Sequence, residues 1–172
     1  MQVLFQGCSK LKSIDLSTFD TSQVINMGSL FSGCINLESI NFGNIKTSNV
    51  ENMGSIFKNC SKLTSLNLSR FDTSKVTNFA NMFEDCTNLK FLDLSGFDFS
   101  NSNSISYIFR NCSSLLYINL DSMKLNFNLT KNHIFDGISS NVKFCISDIN
   151  AKIFLLGENE ISVLIHASMT II

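Results

Sequence analysis

Residues 63–86, LTSLNLSRFDTSKVTNFANMFEDC, contain nearly one full period of a repeat, and this stretch determines the expected fold. Its last residue is one of five cysteines that follow each other at a step of 26 residues: Cys8, Cys34, Cys60, Cys86 and Cys112. Phenylalanine keeps the same step through a sixth copy, at Phe5, Phe31, Phe57, Phe83, Phe109 and Phe135. A fixed period of this length is typical of repeat proteins, in which stacked units bury a shared core.

The period divides the chain of 172 residues into two predicted parts. A repeat domain is expected over residues 1–138, with a C-terminal cap or tail over 139–172. Full units begin at residues 1, 27, 53, 79 and 105, and a degenerate sixth begins at residue 131. The array starts without a capping unit, which suggests a fragment of a longer array. The longest apolar stretch, residues 161–172, is shorter than the about 20 residues that a membrane-spanning helix needs.

Each unit contains the pattern of one short strand. Leu66 and Leu68 alternate with the polar residues Ser65, Asn67 and Ser69, which is the period of two expected of a half-buried strand. A turn with one apolar anchor, Phe71 in this unit, follows. Stacked units should therefore form a parallel sheet.

The remainder of each unit predicts a helix of two turns. Met53, Ile56, Phe57 and Cys60 are spaced three, one and three residues apart, as on one helical face. Residues of the types that cap helix N-termini precede this segment, namely Asn26, Asn52, Asn78, Ser104 and Thr130. Residues that tolerate a left-handed backbone stand near its end, namely Gly7, Gly33, Asn59, Asp85, Asn111 and Gly137. The predicted fold class is an α/β repeat: a right-handed leucine-rich-repeat solenoid with a parallel sheet on one face, short helices on the other and a C-terminal cap.

The unit pattern of residues 63–86, repeated with variations from Leu11 to Cys112, resembles the BspA-type leucine-rich-repeat surface proteins. It is similar to their Mycoplasma-lipoprotein-like subgroup, which has a 26-residue repeat and unknown function. The resemblance covers residues 1 to about 138. It implies an extracellular or cell-surface location and, for some members, adhesion through protein binding. The pattern contains no catalytic residues that could be carried over to this chain.

The five cysteines in register are expected to form a buried, reduced column. A zinc site would need several ligands that converge on one point, whereas each unit supplies one cysteine beside a phenylalanine. Cys145 lies outside the register, and a disulfide with Cys112 is a possible alternative for that pair. We expect no metal and no cofactor, although calcium at the turn column of Asp20, Asp72 and Asp98 is a remote option.

No arrangement typical of catalysis is present, so the chain is predicted not to be an enzyme. A nucleophilic site needs a base oriented by a third group, and neither His133 nor His166 has such a partner at a recognisable spacing. The formal net charge is −1, which argues against nucleic acid as a partner.

The outward positions of the predicted strands are the candidates for partner binding. Solenoids use this extended face to bind ligands, and aromatic residues are enriched at interface hot spots. The proposed partner-binding residues are Phe91, Tyr117, Asp93, Asn119 and Asn67. The competing interpretation is that the two aromatic rings only cover the last units.

We therefore predict a non-enzymatic protein-binding or adhesion module of a cell-surface or secreted repeat protein. Its partner would be a host, matrix or neighbouring-cell protein. The alternative is a structural building block that self-associates through its exposed solenoid ends or its apolar tail.

Overall fold

The computed structural model describes residues 1–157 of the chain. We call each 26-residue unit a coil and number the coils from one to six. Short strands and one helix are present, in the order β1 Ser13–Asp15, β2 Ser39–Asn41, β3 Phe91–Asp93, β4 Asp98–Phe99, β5 Tyr117–Asn119, β6 Lys124–Leu125, β7 Lys143–Cys145 and α1 Ile149–Leu156.

The strands pair in parallel with partners 26 residues away, so successive coils lie on one another in register. β1 pairs with β2, β4 pairs with β6, and the larger sheet has the order β3-β5-β7. Ile14 opposes Ile40, and Leu92 opposes Ile118. At another corner of the coils, a column of isolated parallel bridges joins the residues Asn26, Asn52, Asn78, Ser104 and Thr130. The parallel strands predicted from the period of two are thus present in coils 1, 2, 4, 5 and 6, whereas coil 3, which supplied the pattern, has only an isolated bridge at Ser65.

The segments that were predicted to be helices are tight turns, so the prediction of short helices opposite the sheet is wrong. We call these the back segments: residues 1–8, 27–34, 53–60, 79–86, 105–112 and 131–138. In coil 2 the backbone has a positive φ at Ser29 (55°) and again at Gly33 (77°). The N–H groups of Leu30 and Ser32 each donate to the carbonyl three residues earlier. Two successive turns satisfy the three-one-three apolar spacing as well as two helical turns would.

The left-handed residues near the end of each back segment are confirmed. Positive φ angles occur at all six predicted positions, Gly7, Gly33, Asn59, Asp85, Asn111 and Gly137. The predicted capping residues also keep a local role, because the Asn52 side chain accepts the N–H of Gly54 at 2.9 Å. A turn rather than a helix follows that bond.

Main-chain hydrogen bonds between the back segments all run in one direction. In coil 2 the N–H groups of Ser29, Phe31 and Gly33 donate to carbonyl oxygens of coil 3 at 2.8–2.9 Å. Equivalent residues link every other neighbouring pair of coils from coil 1 to coil 6 in the same sense. The donor always lies in the earlier coil and the acceptor in the later one. These bonds replace the internal hydrogen bonds of a helix, which would be marginal at two turns.

Stacked phenylalanine rings form the centre of the core. Neighbouring rings of the column Phe5, Phe31, Phe57, Phe83, Phe109 and Phe135 have centroids 5.5–6.0 Å apart and planes within 13° of parallel. Offset stacking at this separation adds to the stabilisation from the buried apolar area. The column therefore joins all six coils through one continuous set of contacts.

The cysteine column lies beside the phenylalanine column. The buried thiols of Cys34, Cys60, Cys86 and Cys112 each donate to a phenylalanine carbonyl of the preceding coil at 3.0–3.1 Å. Burial raises the pKa of Cys60 and of Cys112 to about 12. Cys8 is exposed, contrary to the expectation of five buried thiols. The reason is that no described coil lies on its outer side.

The tail after coil 6 begins with a strand and a helix. Lys143–Cys145 adds β7 to the sheet beside β5, and the carboxylate of Asp148 then accepts the N–H groups that start α1. Leu155 of this helix reaches a small apolar cavity beside Met123 and Phe135. The described part of the tail therefore packs on the core of the last coils. The predicted roles of residues 161–172 and of His166 lie outside the described residues.

Candidate functional site

The outer face of the larger sheet carries the two aromatic residues that were predicted to bind a partner. Phe91 on β3 and Tyr117 on β5 oppose each other in register. Their exposed fractions are 54% and 37%, whereas Leu92 and Ile118, one residue further along, are buried. The alternation of the strands thus directs both aromatic side chains away from the core.

Two polar residues that were also predicted to bind a partner lie on the same two strands as the aromatic pair. Asp93 opposes Asn119 in register, and Asp93 is exposed. Hydrogen bonds from the backbone N–H and the hydroxyl of Ser95 lower the pKa of Asp93, so the Asp93 carboxylate is ionised at neutral pH. Partial burial, followed by contact with Cys145, raises the pKa of Tyr117, so its hydroxyl stays protonated and can donate or accept. The four residues combine aromatic area with polar groups, as interfaces do.

Asn67, the fifth predicted residue, is exposed in coil 3 but does not belong to a strand. Its side-chain oxygen accepts the N–H of Ser69 at 3.2 Å and the Ser69 hydroxyl at 2.8 Å. Asn67 and Asp93 line the same shallow cleft between coils 3 and 4. The structure therefore brings Asn67 next to Asp93 across a cleft rather than along a paired strand.

The sheet is interrupted between coils 2 and 3. Within residues 1–157, the strand position of coil 3 pairs only through the bridge between Ser65 and Phe91, and not with β2. Coil 2 has Phe42 at a position that is leucine in the other coils, at Leu16, Leu68, Leu94 and Leu120. The Phe42 ring packs edge-on against Phe71 at a centroid distance of 5.0 Å and contacts Phe57 at 6.3 Å.

We attribute the interruption to the volume of this ring, since a larger side chain in a well-packed core moves its neighbours. The resulting cleft has a volume of about 400 Å³, and half of its lining residues carry amide or guanidinium side chains, namely Asn41, Asn44, Asn67 and Arg70. Arg70 already donates to the Asn44 side chain at 2.8 Å.

A buried carboxylate on the back segments was missed by the sequence analysis. Glu84 is 5% exposed, and its oxygens lie 2.7 Å from Lys58 Nζ and 3.4 Å from the Arg110 guanidinium. Burial alone would raise the pKa of Glu84, but hydrogen bonds from Lys58 and Asn81 and the two cations lower it overall. Reading the sequence at the 26-residue step would have found this column, because positions 58, 84, 110 and 136 alternate in charge.

The remaining candidate groups lie apart from one another. All six cysteines are free, and Cys145 lies on β7 opposite Asn119 rather than against Cys112. His133 contacts Asp136 at 2.7 Å and stacks on Tyr107 at a centroid distance of 5.3 Å. Within residues 1–157 there is no group of three or more His, Cys, Asp or Glu side chains that could hold a metal ion. None of the described helices is long and apolar enough to cross a membrane.

Parallel strands stacked at a 26-residue repeat define a leucine-rich-repeat fold, and a solved structure supports this class. The chain is similar to the leucine-rich repeat protein of T. pallidum, with a TM-score of 0.50 and 19% sequence identity. The similarity covers 95% of this chain and 74% of that protein. Residues 1–122 match the family described as "Mycoplasma protein of unknown function, DUF285", so the chain belongs to this family. No match was found among curated proteins.

Proposed function

We propose that the chain is a non-enzymatic protein-binding module and that it binds its partner through the outer face of the larger sheet. The observation that carries this proposal is the exposed pair of Phe91 and Tyr117, which lie side by side on β3 and β5. Exposed aromatic residues next to each other on a rigid sheet would be desolvated efficiently by a partner. Leucine-rich repeats commonly use their extended surfaces in this way.

The proposed contact has an aromatic centre and a polar rim. Asp93 and Asn119 would supply hydrogen bonds beside the rings, and Asn67 would extend the rim to coil 3. Lys143 opposes Tyr117 on β7 and gives the other side of the pair a positive charge. A partner with apolar side chains flanked by an acidic and an amide group would fit this distribution.

The finer features of the architecture are part of the same proposal. The coils would form a right-handed solenoid, with repeat domain 1–138 and a C-terminal cap over 139–172. The BspA-type resemblance of the repeat supports a location at the cell surface or outside the cell, and adhesion to a host, matrix or neighbouring-cell protein as the role. No metal or cofactor is needed for it.

The test begins with a panel of purified extracellular-matrix and host-surface proteins, each measured for binding to the full chain. For any protein that binds, Phe91→Ala and Tyr117→Ala should each weaken binding about thirtyfold, as at an interface hot spot. Ile25 provides the matched control, because it is 57% exposed but lies outside the sheet face.

Ile25→Ala should leave the affinity unchanged, and circular dichroism should show that all variants are folded. The sheet-face proposal is wrong if the two aromatic variants bind as tightly as the wild type while Ile25→Ala binds less tightly. Failure of the whole panel to bind the wild-type chain would count against adhesion to this class of partner.

A further inference from the structure

The cleft between coils 2 and 3 has unused hydrogen-bond donors in its wall. Arg70 donates to the side-chain oxygen of Asn44 at 2.8 Å, and the side-chain oxygen of Asn67 accepts the N–H and the hydroxyl of Ser69. Both amide oxygens are therefore engaged, whereas neither amide NH₂ group donates to an acceptor within residues 1–157. The guanidinium of Arg70 also has further N–H groups beyond the one that it uses. The free side-chain groups of these three residues are thus donors.

The charge of this cleft agrees with its surplus of donors. Of the described residues that line it, Arg70 alone is charged. Asp15 and Asp93 lie one coil beyond the cleft on either side, and each carboxylate accepts the N–H of the serine two residues later. Asn41, in the wall of the cleft, also donates to Asp15 at 3.1 Å. A ligand with a negative charge and several acceptor atoms therefore complements the wall.

The interrupted sheet also leaves one pair of main-chain groups open at the cleft. In coil 1 the N–H of Leu16 donates to the carbonyl of Asn41, and in coil 4 the N–H of Leu94 donates to the carbonyl of Asn119. The equivalent groups here are the N–H of Phe42 and the carbonyl of Asn67, and neither has a hydrogen-bond partner in the described part of the chain. A ligand with its own carbonyl and N–H would satisfy both groups. An acidic residue of a peptide has these two groups beside its carboxylate.

From these groups we infer that the cleft between coils 2 and 3 binds an acidic side chain, Asp or Glu, of a protein partner. The carboxylate would accept hydrogen bonds from the guanidinium of Arg70 and from the amide groups of Asn44 and Asn67, and such charge-assisted bonds are the stronger kind. The cleft volume of about 400 Å³ lies within the range of ligand sites, roughly 300–1,000 Å³. The inference rests on the proposed function only in that the ligand is a protein, and Asn67 joins the cleft to the polar rim.

A peptide titration tests the site without any knowledge of the partner. The full chain, labelled with ¹⁵N, is titrated with a capped hexapeptide that has glutamate at its two central positions, and with the same peptide carrying glutamine there. The side-chain amide signals of Asn44 and Asn67 and the N–H signal of Phe42 should shift, with a dissociation constant of about 1 mM or less. The glutamine peptide should bind at least about tenfold more weakly. Unshifted signals up to about 10 mM glutamate peptide, or equal binding of both peptides, would overturn the inference.

A matched pair of variants separates the cleft from the general charge of the surface. Arg70→Gln should weaken binding of the glutamate peptide at least about tenfold, because it removes the charged donor. Lys75→Gln is the control, since exposed Lys75 donates to Asn49 of coil 2 at 2.8 Å, as Arg70 donates to Asn44, but does not line the cleft. It should change the affinity by less than about twofold. Equal losses in the two variants would show that the cleft is not the binding site.

A third variant acts on the shape of the cleft. Phe42→Leu should let coils 2 and 3 approach and close the cleft, so the glutamate peptide should bind at least about tenfold more weakly. Full binding in a variant whose residue 42 exchanges its amide hydrogen more slowly than in the wild type would contradict the inference.

An acidic oligosaccharide tests the other source of carboxylates. Oligogalacturonate should bind at least about threefold more weakly than the glutamate peptide, because it has no peptide groups for Phe42 and Asn67. Tighter binding of the oligosaccharide would show that the cleft is not a site for an acidic protein segment. Phe91 and Tyr117 take no part in these titrations, so failure of this inference and failure of the sheet-face proposal are separate results.

Discussion

At the scale of single residues, cysteines at equivalent positions of the repeat should differ in their rate of reaction with alkylating reagents. Cys8 is exposed, whereas Cys60 and Cys112 are buried, and burial raises the pKa of both to about 12. Since the thiolate is the nucleophile, alkylation of the folded protein at about pH 8 should modify Cys8 rapidly and the buried column slowly. Mass spectrometry of peptides, with denatured protein as the control, would measure this. Alkylation of Cys60 as fast as Cys8 would show that the column is accessible.

The carboxylate of Glu84 should give the folded state a defined pH dependence. Its pKa is lowered on folding, so its stabilisation is present above the unfolded value of about 4.3 and is lost as the pH falls through the folded value. Because Lys58 and Arg110 are partly exposed, Glu84→Gln should lower the free energy of unfolding by about 1 kcal/mol at neutral pH.

The difference in unfolding free energy between the wild type and Glu84→Gln should shrink when the pH is lowered from about 7 to about 3, because protonation of Glu84 removes its charge and its ion pairs. Glu51, an exposed residue, provides the control: Glu51→Gln should leave the unfolding free energy unchanged at both pH values. A difference between Glu84→Gln and the wild type that stays constant with pH would mean that the ion pairs do not form.

At the scale of the elements, the back segments depend on residues that accept a left-handed backbone. Gly33 has a φ of 77°, and Asn59 and Asn111 adopt similar angles at equivalent positions. A Cβ at Gly33 would approach Gly7 no closer than 3.5 Å, so an added side chain has space. Gly33→Asn should therefore be nearly neutral, whereas Gly33→Val should lower the free energy of unfolding by about 1–2 kcal/mol. Equal effects in urea unfolding would mean that the backbone angle does not limit this position.

The interrupted sheet gives a second prediction at this scale. Phe42→Leu should allow coils 2 and 3 to approach, so the N–H of residue 42 would donate to the Asn67 carbonyl, as Leu16 donates to Asn41. Hydrogen exchange at residue 42 should slow, while exchange at Leu94, whose N–H is already bonded to Asn119, should not change. Unchanged exchange at residue 42 would show that the ring does not cause the gap. The variant should still lose about 1 kcal/mol, because Phe42 packs on Phe57 and Phe71.

The elements also show what could be predicted from the sequence. The 26-residue period places the strands of five coils and four of the five cysteines of the buried column correctly, because identical side chains stacked in register must face the same way. It fails for the back segments, where the spacing of Met53, Ile56, Phe57 and Cys60 fits a helix and a pair of turns equally well. Hydrogen bonds to the neighbouring coil decide between them, and a single unit carries no information about those bonds.

Only part of the candidate site could be predicted from the repeat in the sequence. Phe91 and Tyr117 follow from strand alternation, and the structure places them in register. Asn67 lies across the cleft between coils 3 and 4 instead, because the strand position of coil 3 is paired only at Ser65. The ion pairs of Glu84 were accessible in principle, but only by comparing the same position across consecutive units.

At the scale of the whole molecule, the same hydrogen bonds between back segments join each neighbouring pair of coils from coil 1 to coil 6. Deleting residues 53–78 joins Asn52 to Phe79, which occupies the position of Met53 in its coil. The shortened chain should fold with cooperative urea unfolding and a smaller free energy of unfolding, since a repeat array is stabilised by a sum over neighbouring interfaces. Deletion of residues 54–78, one residue fewer, breaks the register and should abolish folding. Cooperative folding of both deletions would show that the register is not required.

This regularity has a consequence for inheritance. Because the coils are interchangeable in their backbone contacts, a gene for this protein can gain or lose a whole unit through unequal recombination between its own repeats and still encode a folded product. The length of the array, and with it the number of positions on the outer face, can then vary between related genes without any change in the core. Selection can act on copy number first and refine single side chains such as Phe91 afterwards.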